Sequence, residues 1–259
     1  MTDGDRAALL PATFALRMQV QPPASLLGRA GYYMMDLSAP IVEGTYRAAL
    51  ASVDCGLSAA QAILNGEHSS FALTRPPGHH AGRANCGGYC YLNNAAVTAN
   101  WLSRDGKVAI LDIDYHAGNG TQEIFFDRPD VLTISIHADP SEEYPYFSGH
   151  AAERGTGAGE GFHHNFPLSA GTGDSAYLGV LDHALALIRE YSPRWLLISA
   201  GMDIYDSDPL GRIKVTTPGI REIGRRIAIL GIPAAIMMEG GYNNKDLGLN
   251  FVTFLEAFR

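Results

Sequence analysis

The chain has 259 residues, of which 46% are hydrophobic and 18% charged, and its formal net charge at pH 7 is −8. That length suits one sizeable α/β domain spanning residues 1–259, and the acidic balance argues against a nucleic-acid surface. No apolar run reaches the ~18 residues that a membrane span requires, and Asp3 and Asp5 precede only a short apolar patch, which argues against a signal peptide.

Residues 1–35 carry Pro11, Pro22 and Pro23 and no strong periodicity. Gly44 to Glu67 reads as a helix, because Tyr46, Leu50, Val53, Leu57, Ala60 and Leu64 recur at helical spacing, with Gly66 as its stop. Core packing is the preferred reading of that stripe. Phe71 to Thr74 reads as a short strand. The loop Arg75-Pro-Pro-Gly-His-His-Ala-Gly82 follows, stiffened by two prolines. One histidine there would pass as an ordinary surface or core residue. Two in succession, His79 and His80, fixed behind Pro-Pro-Gly, look positioned. Gly87 to Asn94 then leads into a helix through Trp101, capped near Asn93 or Asn94. The aromatic residues among those glycines could be packing or could wall a narrow pocket. Cys55, Cys86 and Cys90, an odd number without a secretory framework, read as reduced thiols of a cytoplasmic protein.

The next stretch is the most informative. Val108 to Leu111 is a short apolar run of the kind that forms a buried strand. Asp112, Asp114 and His116 then alternate, so an extended chain would turn all three to one face. Gly118 and Gly120 end the strand in a tight loop. Three ionisable groups at the end of a buried strand are costly to desolvate unless paired, and a divalent metal is the simplest partner. A single Asp there would be a turn former or helix cap, but three at this spacing are not explained that way.

Val131 to His137 reads as another buried strand ending in a polar residue. Residues 138–173 read as one long Gly-rich and acidic loop, and a loop of that length in a compact domain is functional or disordered. Tyr144, Tyr146 and Phe147 argue against disorder. Ser175 to Tyr191 reads as a helix, and Trp195 to Ser199 as a strand that runs into Ala200-Gly-Met-Asp203. Thr217 to Leu230 reads as a helix with Pro218 at its first position. Ala234 to Met238 is the last strand, ahead of Glu239-Gly-Gly-Tyr242, and Asp246 to Phe258 the last helix. Alternating helices and apolar strands without period-two exposure signify a mostly parallel, doubly wound sheet. Ligands sit outside the carboxyl ends of such strands, where His79, His80, Asp114, His116, Asp203 and Tyr242 all fall.

Taken together, Arg75-Pro-Pro-Gly-His-His-Ala81, Gly87-Gly-Tyr-Cys-Tyr-Leu-Asn-Asn94, Asp112-Ile-Asp-Tyr-His-Ala-Gly-Asn-Gly120, Ala200-Gly-Met-Asp203 with Asp208-Pro209, and Glu239-Gly-Gly-Tyr242 resemble the histone deacetylase and acetylpolyamine amidohydrolase superfamily. They occur in the family's order from about residue 30 onward. Asp139-Pro140 with Tyr144-Pro-Tyr-Phe-Ser-Gly149 is most similar to the acetylpolyamine amidohydrolase-like branch. The resemblance implies an arginase/deacetylase-like fold and one zinc ion per chain, bound by Asp114, His116 and Asp203. It implies His79 and His80 as tandem catalytic histidines, with Asp112 paired to His79, and Tyr242 as the hydroxyl that polarises the substrate carbonyl. Gly88, Tyr89, Tyr144 and Leu210 match positions that contact substrate, and K+ or Na+ is implied near Asp112, Asp114, His116 and Ser135. Members of the polyamine branch often dimerise, so a homodimer is an expectation.

Two carboxylates and one imidazole leave a fourth zinc position open, as catalytic sites require. The two carboxylates also cancel the ion's charge, so a base is needed beside it, and His80 is the candidate. Asn119 stands where some branches have an Asp partner for the second histidine, which favours His80 as the base. The expected reaction is hydrolysis of an N-acetyl group on a small cationic amine such as an acetylpolyamine. Leu210, in place of one polyamine branch's acidic gatekeeper, supports the alternative of a protein or peptide acetyl-lysine deacylase. Asp36, Glu142 and Glu143 could attract a cation, although solvated carboxylates are the preferred reading. Two further alternatives are a binuclear arginase-like hydrolase, disfavoured because only one metal set is legible, and a catalytically impaired binding protein. The last rests on about 30 N-terminal residues of poor resemblance, where family domains carry a further strand, helices and a pocket-lining loop.

Overall fold

A computed structural model describes residues 21–259. Its elements in chain order are α1 (Leu26–Tyr32), α2 (Thr45–Leu64), β1 (Ser69–Ala72), α3 (Asn94–Leu102), β2 (Val108–Asp112), α4 (Asn119–Phe125), β3 (Val131–Ala138), β4 (His163–Leu168), α5 (Asp174–Tyr191), β5 (Trp195–Ala200), α6 (Thr217–Ala228), β6 (Ala234–Met238) and α7 (Leu247–Leu255). The strands form one six-stranded sheet in the order β1-β6-β5-β2-β3-β4. Every pairing in it is parallel.

Both faces of the sheet are covered, which is why its strands read as continuous apolar runs. On β2, Ala109 and Leu111 join a core with Leu181, Leu185, Ile223 and Phe254 from α5, α6 and α7. Val108 and Ile110 point the other way, to Ala60, Ile63, Ala99 and Phe125 from α2, α3 and α4. Among the described residues no helix is long and apolar enough to cross a membrane.

Three departures from the sequence reading have physical reasons. The 138–173 loop contains β4, an edge strand whose sequence, His-His-Asn-Phe-Pro-Leu, is half polar and holds a proline. An edge strand needs neither two apolar faces nor every backbone N–H, so it escaped an apolar-run criterion. Asn119 to Phe125 is a helix rather than part of a tight loop. Finally, β2 ends at Asp112, so Asp114 and His116 do not lie on an extended strand. Asp112 Oδ1 accepts from Asp114 N at 3.0 Å, and Asp114 Oδ1 from His116 N at 2.8 Å. The alternation builds two nested side-chain turns instead.

Helix caps tie the scaffold to its loops. Asn93 caps α3, its Oδ1 accepting from Ala96 N at 2.8 Å. The same side chain donates through Nδ2 to Ala81 O at 3.0 Å and Thr121 Oγ1 at 3.1 Å. One residue thus fastens α3, the loop of the tandem histidines and α4. Thr216 caps α6 through Gly219 N, with Thr217 and not Pro218 as its first residue. Asn93→Ala loses a cap and strands buried partners, so the expected loss is about 2–4 kcal/mol. Urea denaturation checks this; a loss under about 0.5 kcal/mol would remove Asn93 as the fastening point.

Candidate active site

Loops at the carboxyl ends of β1, β2, β5 and β6 carry the histidines, the carboxylates and Tyr242 of the candidate site. β2 and β5 are neighbours, with Asp112 paired to Ser199 in register, so the loops carrying Asp114, His116 and Asp203 converge. All three carboxylates, Asp112, Asp114 and Asp203, are buried.

Asp114, His116 and Asp203 offer ligand atoms that all lie within 4.8 Å of one another. Backbone amides hold both carboxylates: Asp114 Oδ2 accepts from Gly240 N and Oδ1 from His116 N, each at 2.8 Å, and Asp203 Oδ1 accepts from Tyr115 N at 2.9 Å. Asp114 Oδ1 and Asp203 Oδ2 each lie 3.2 Å from His116 Nδ1. Asp203 Oδ2 is buried and, apart from that approach of His116 Nδ1, has no hydrogen-bond partner among the described residues. Burying a lone carboxylate costs several kcal/mol, and one imidazolium cannot neutralise two of them. The donor set therefore fits a divalent cation. Without one, burial and the Asp114 charge push Asp203 up to about 6. His116 rises to about 10, because its bonds to Asp114 and Asp203 overcome the effect of burial.

Gly240 is required by close approach. A Cβ there would run into Asp203 Oδ2 and lie 2.7 Å from Asp114 Oδ2.

The tandem histidines differ in their partners. His79 Nδ1 lies 2.9 Å from Asp112 Oδ2, and its Nε2 lies 3.7 Å from Asp114 Oδ1. Burial lowers the His79 pKa, but the Asp114 and Asp112 charges override it and hold the group well above its ordinary value. His80 Nδ1 bonds Asn119 Oδ1 at 2.7 Å. A carbonyl oxygen only accepts, so Nδ1 carries the proton and Nε2 presents a lone pair. Burial, then the charges of His79 and His116, hold His80 well below its ordinary value. Adjacent imidazoles thus have opposite tendencies, the pattern of an acid and a base.

Above them lies a pocket of about 300 Å³, lined by His80, Gly88, Tyr89, His116, Tyr144, Leu210, Tyr242 and the segment Asp36 to Ser38. It brings all four sequence-predicted substrate contacts, Gly88, Tyr89, Tyr144 and Leu210, to one place. Tyr144 packs edge-on against His80, with ring centroids 4.9 Å apart. Tyr89 faces Tyr242 across the opening at 5.9 Å. Tyr89 has a left-handed backbone, φ 66°, and follows Gly88 at φ 53°. A Cβ on Gly88 would strike the His80 ring. A non-glycine held in that conformation beside a pocket is strain of the sort found at functional sites. Burial and the Asp203 and Asp114 charges raise the Tyr242 pKa, which keeps its hydroxyl a donor.

Two carboxylates organise this site in ways the sequence reading did not assign. Asp208 holds three backbone amides: Leu210 N on Oδ1 at 2.9 Å, and Tyr242 N and Asn243 N on Oδ2 at 2.6 and 3.0 Å. Its place before Pro209 in a strand-end loop was the available signal. Asp36 is not a solvated carboxylate. Its Oδ2 accepts from Gly88 N at 2.9 Å and the Tyr144 hydroxyl at 2.5 Å, and its Oδ1 from Ser38 N at 2.7 Å. Glu142 and Glu143 pair with Arg212. Ser135 stands beside Asp112 in register, with its hydroxyl 2.7 Å from His137 Nδ1.

The chain is similar to known proteins over most of its length. The histone deacetylase domain model matches residues 15–258, further toward the N-terminus than the sequence motifs reach. Acetylpolyamine amidohydrolase 1 of Pseudomonas aeruginosa is 46% identical over 261 residues, covering 99% of this chain and 75% of that protein. The acetylpolyamine amidohydrolase of Mycoplana ramosa is 42% identical over 237 residues, covering 91% and 70%. A crystal structure of acetylpolyamine aminohydrolase from Burkholderia pseudomallei superposes with a TM-score of 0.91 at 41% identity, covering 96% of this chain and 72% of that one.

The Asn119 contact yields a test. Asn119→Asp replaces a neutral acceptor with a charged one, which favours the imidazolium. The His80 pKa, followed by NMR, is expected well below 6.5 in the wild type and higher in the variant. An unmoved titration would show that Asn119 does not set the state of His80.

Proposed function

The chain belongs to the histone deacetylase domain family and is an amidohydrolase, and we propose that it removes the acetyl group from a small cationic amine, an acetylpolyamine, with zinc as its metal. The observation that carries this reading is the buried Asp114, His116 and Asp203 set at the floor of a narrow pocket that also presents His80 and Tyr242. A zinc ion held there would supply Lewis acidity to the acetamide carbonyl and to the attacking water.

The chain's own residues supply the rest. His80 Nε2, bearing a lone pair, takes the proton from the attacking water. His79, with Nδ1 anchored on Asp112, is the cation at hand, and its Nε2 proton passes to the leaving amine. The neutral Tyr242 hydroxyl donates to the oxygen where negative charge develops. Tyr89 and Tyr144 wall the acyl chain and exclude water, and Gly88 lets the wall approach His80. Asp208 positions Tyr242 and Leu210 through their backbone.

Three observations support the small cationic substrate: relatives named acetylpolyamine amidohydrolases, a net charge of −8, and a carboxylate, Asp36, in the pocket lining. A monovalent cation near Asp112, Asp114, His116 and Ser135 belongs to the same reading, supported by the register that sets Ser135 beside Asp112. So does a homodimer, supported by the exposed Tyr146 and Phe147 beside the pocket. Cytoplasmic location is proposed from the three free cysteines.

The test is turnover of zinc-loaded protein on acetylputrescine or acetylspermidine against an acetyl-lysine peptide. Preference for the polyamine is expected; preference for the peptide would move the chain to the deacylase reading, and no turnover on either with zinc bound to the binding-protein one. Tyr242→Phe is expected to lower turnover by about 10²–10³-fold with metal content unchanged. An unaltered rate would take Tyr242 out of the reaction.

A further inference from the structure

A second group of potential ligands lies next to the first and shares no residue with it. His79, Cys90 and Glu239 come from three different loops, and their ligating atoms also lie within 4.8 Å of one another. All three are buried, with exposures of 2%, 0% and 5%.

The most informative atom is Glu239 Oε1. Its companion Oε2 accepts from Gly78 N at 2.7 Å and His79 N at 3.2 Å. Oε1 is buried with no hydrogen-bond partner among the described residues. A buried polar atom left unmatched costs about 1–3 kcal/mol, and more when charged, so a cationic partner would explain its retention. His79 is already arranged as a ligand. Its Nδ1 is held by Asp112, so Nε2 is the atom that would bind once it gives up its proton, and a carboxylate behind a histidine is the usual support for a metal-bound imidazole. The Cys90 sulfur makes a 3.3 Å contact to Gly88 O. One sulfur, one nitrogen and one oxygen make a donor set that suits zinc-like, thiophilic ions over magnesium or calcium. Glu239 also lines a cleft of about 1070 Å³, with Arg75, Pro77, Gly240 and Tyr242, which offers an ion a route from solvent.

We propose that His79, Cys90 and Glu239 form a second divalent-metal site, for a thiophilic ion such as Zn2+ or Cd2+, and that its occupancy inhibits the enzyme. Binding releases the Cys90 thiol proton and the His79 Nε2 proton to solvent, and the ion takes the Nε2 lone pair so freed. The inhibitory consequence rests on the role given to His79 under Proposed function; the binding itself does not.

The test loads metal-free protein with Cd2+ and follows both metal per chain and the thiolate-to-metal charge-transfer absorption. Wild-type protein is expected to take up a second equivalent with the appearance of that band. Cys90→Ser and Glu239→Gln are expected to lose the second equivalent and the band. Asp203→Asn is expected to lose the other equivalent and keep the band. In zinc-loaded enzyme, a second equivalent of Zn2+ is expected to cut wild-type turnover about tenfold or more, while Cys90→Ser keeps its one-equivalent rate. A wild type that binds one equivalent without a band, or a band that survives Cys90→Ser, overturns the site. Two equivalents with the band and no turnover on any acetylated amine would sink the proposed reaction and leave the site standing.

Discussion

The rest of the structure depends on the burial of negative charge at one end of a parallel sheet. Asp112, Asp114, Asp203 and Glu239 are each at most 5% exposed, and they sit among backbone loops with two imidazoles, His79 and His116, as their nearby counter-charges. No such cluster survives without compensation. Backbone N–H groups supply part of it. Tyr115, Gly240, Gly78, His79, Asp114 and His116 all donate to these four side chains. Two oxygens of these four side chains, on Asp203 and Glu239, remain without a hydrogen-bond partner among the described residues. The first belongs to a donor set that fits a divalent cation, the second to the site proposed above.

The sheet order explains why the charges meet. The chain enters at the β1 edge, crosses to β2, runs outward through β3 and β4, and returns to β5 beside β2. Winding reverses at the β2–β5 junction, and the crevice at such a reversal is where doubly wound sheets bind ligands. The Asp114 and Asp203 loops flank it. The His79–His80 and Tyr242 loops arrive from β1 and β6, which are neighbours. Four strand ends deliver the whole set without any long excursion of the chain.

Much of this was legible in the residues. The four apolar strands β2, β3, β5 and β6 read correctly because burial on both faces leaves an unbroken apolar run, whereas the half-buried edge strand β1, read as Phe71 to Thr74, is Ser69–Ala72. The tandem histidines, the Asp114-His116 pair, Asp203 and Tyr242 were legible because each closely follows a strand. Asn119, the first residue of α4, was implied as the His80 partner by the family resemblance. What escaped was of two kinds. The edge strand β4 and the seven-residue helices α1 and α4 carry weak periodicity, since a short or half-exposed element needs few apolar residues. Asp36 and Asp208 escaped because their meaning lies in donors brought by other segments.

By itself the sequence determined the strand and helix periodicities, the order of the motifs, and which residue types stand at strand ends, since these follow from local spacing and chemistry. The tertiary structure alone decided the partnerships. Asp114 reaches Gly240 across 126 residues, and Asp36 reaches the Tyr144 hydroxyl across 108. It likewise decided that Asp203 and Glu239 keep an oxygen unmatched, that His79 and His80 are pushed in opposite directions, and that Cys90 faces His79 and Glu239. The reason is that a hydrogen bond, an ion pair or a burial penalty depends on distance in space and on the water excluded around it, and neither is written in spacing along the chain.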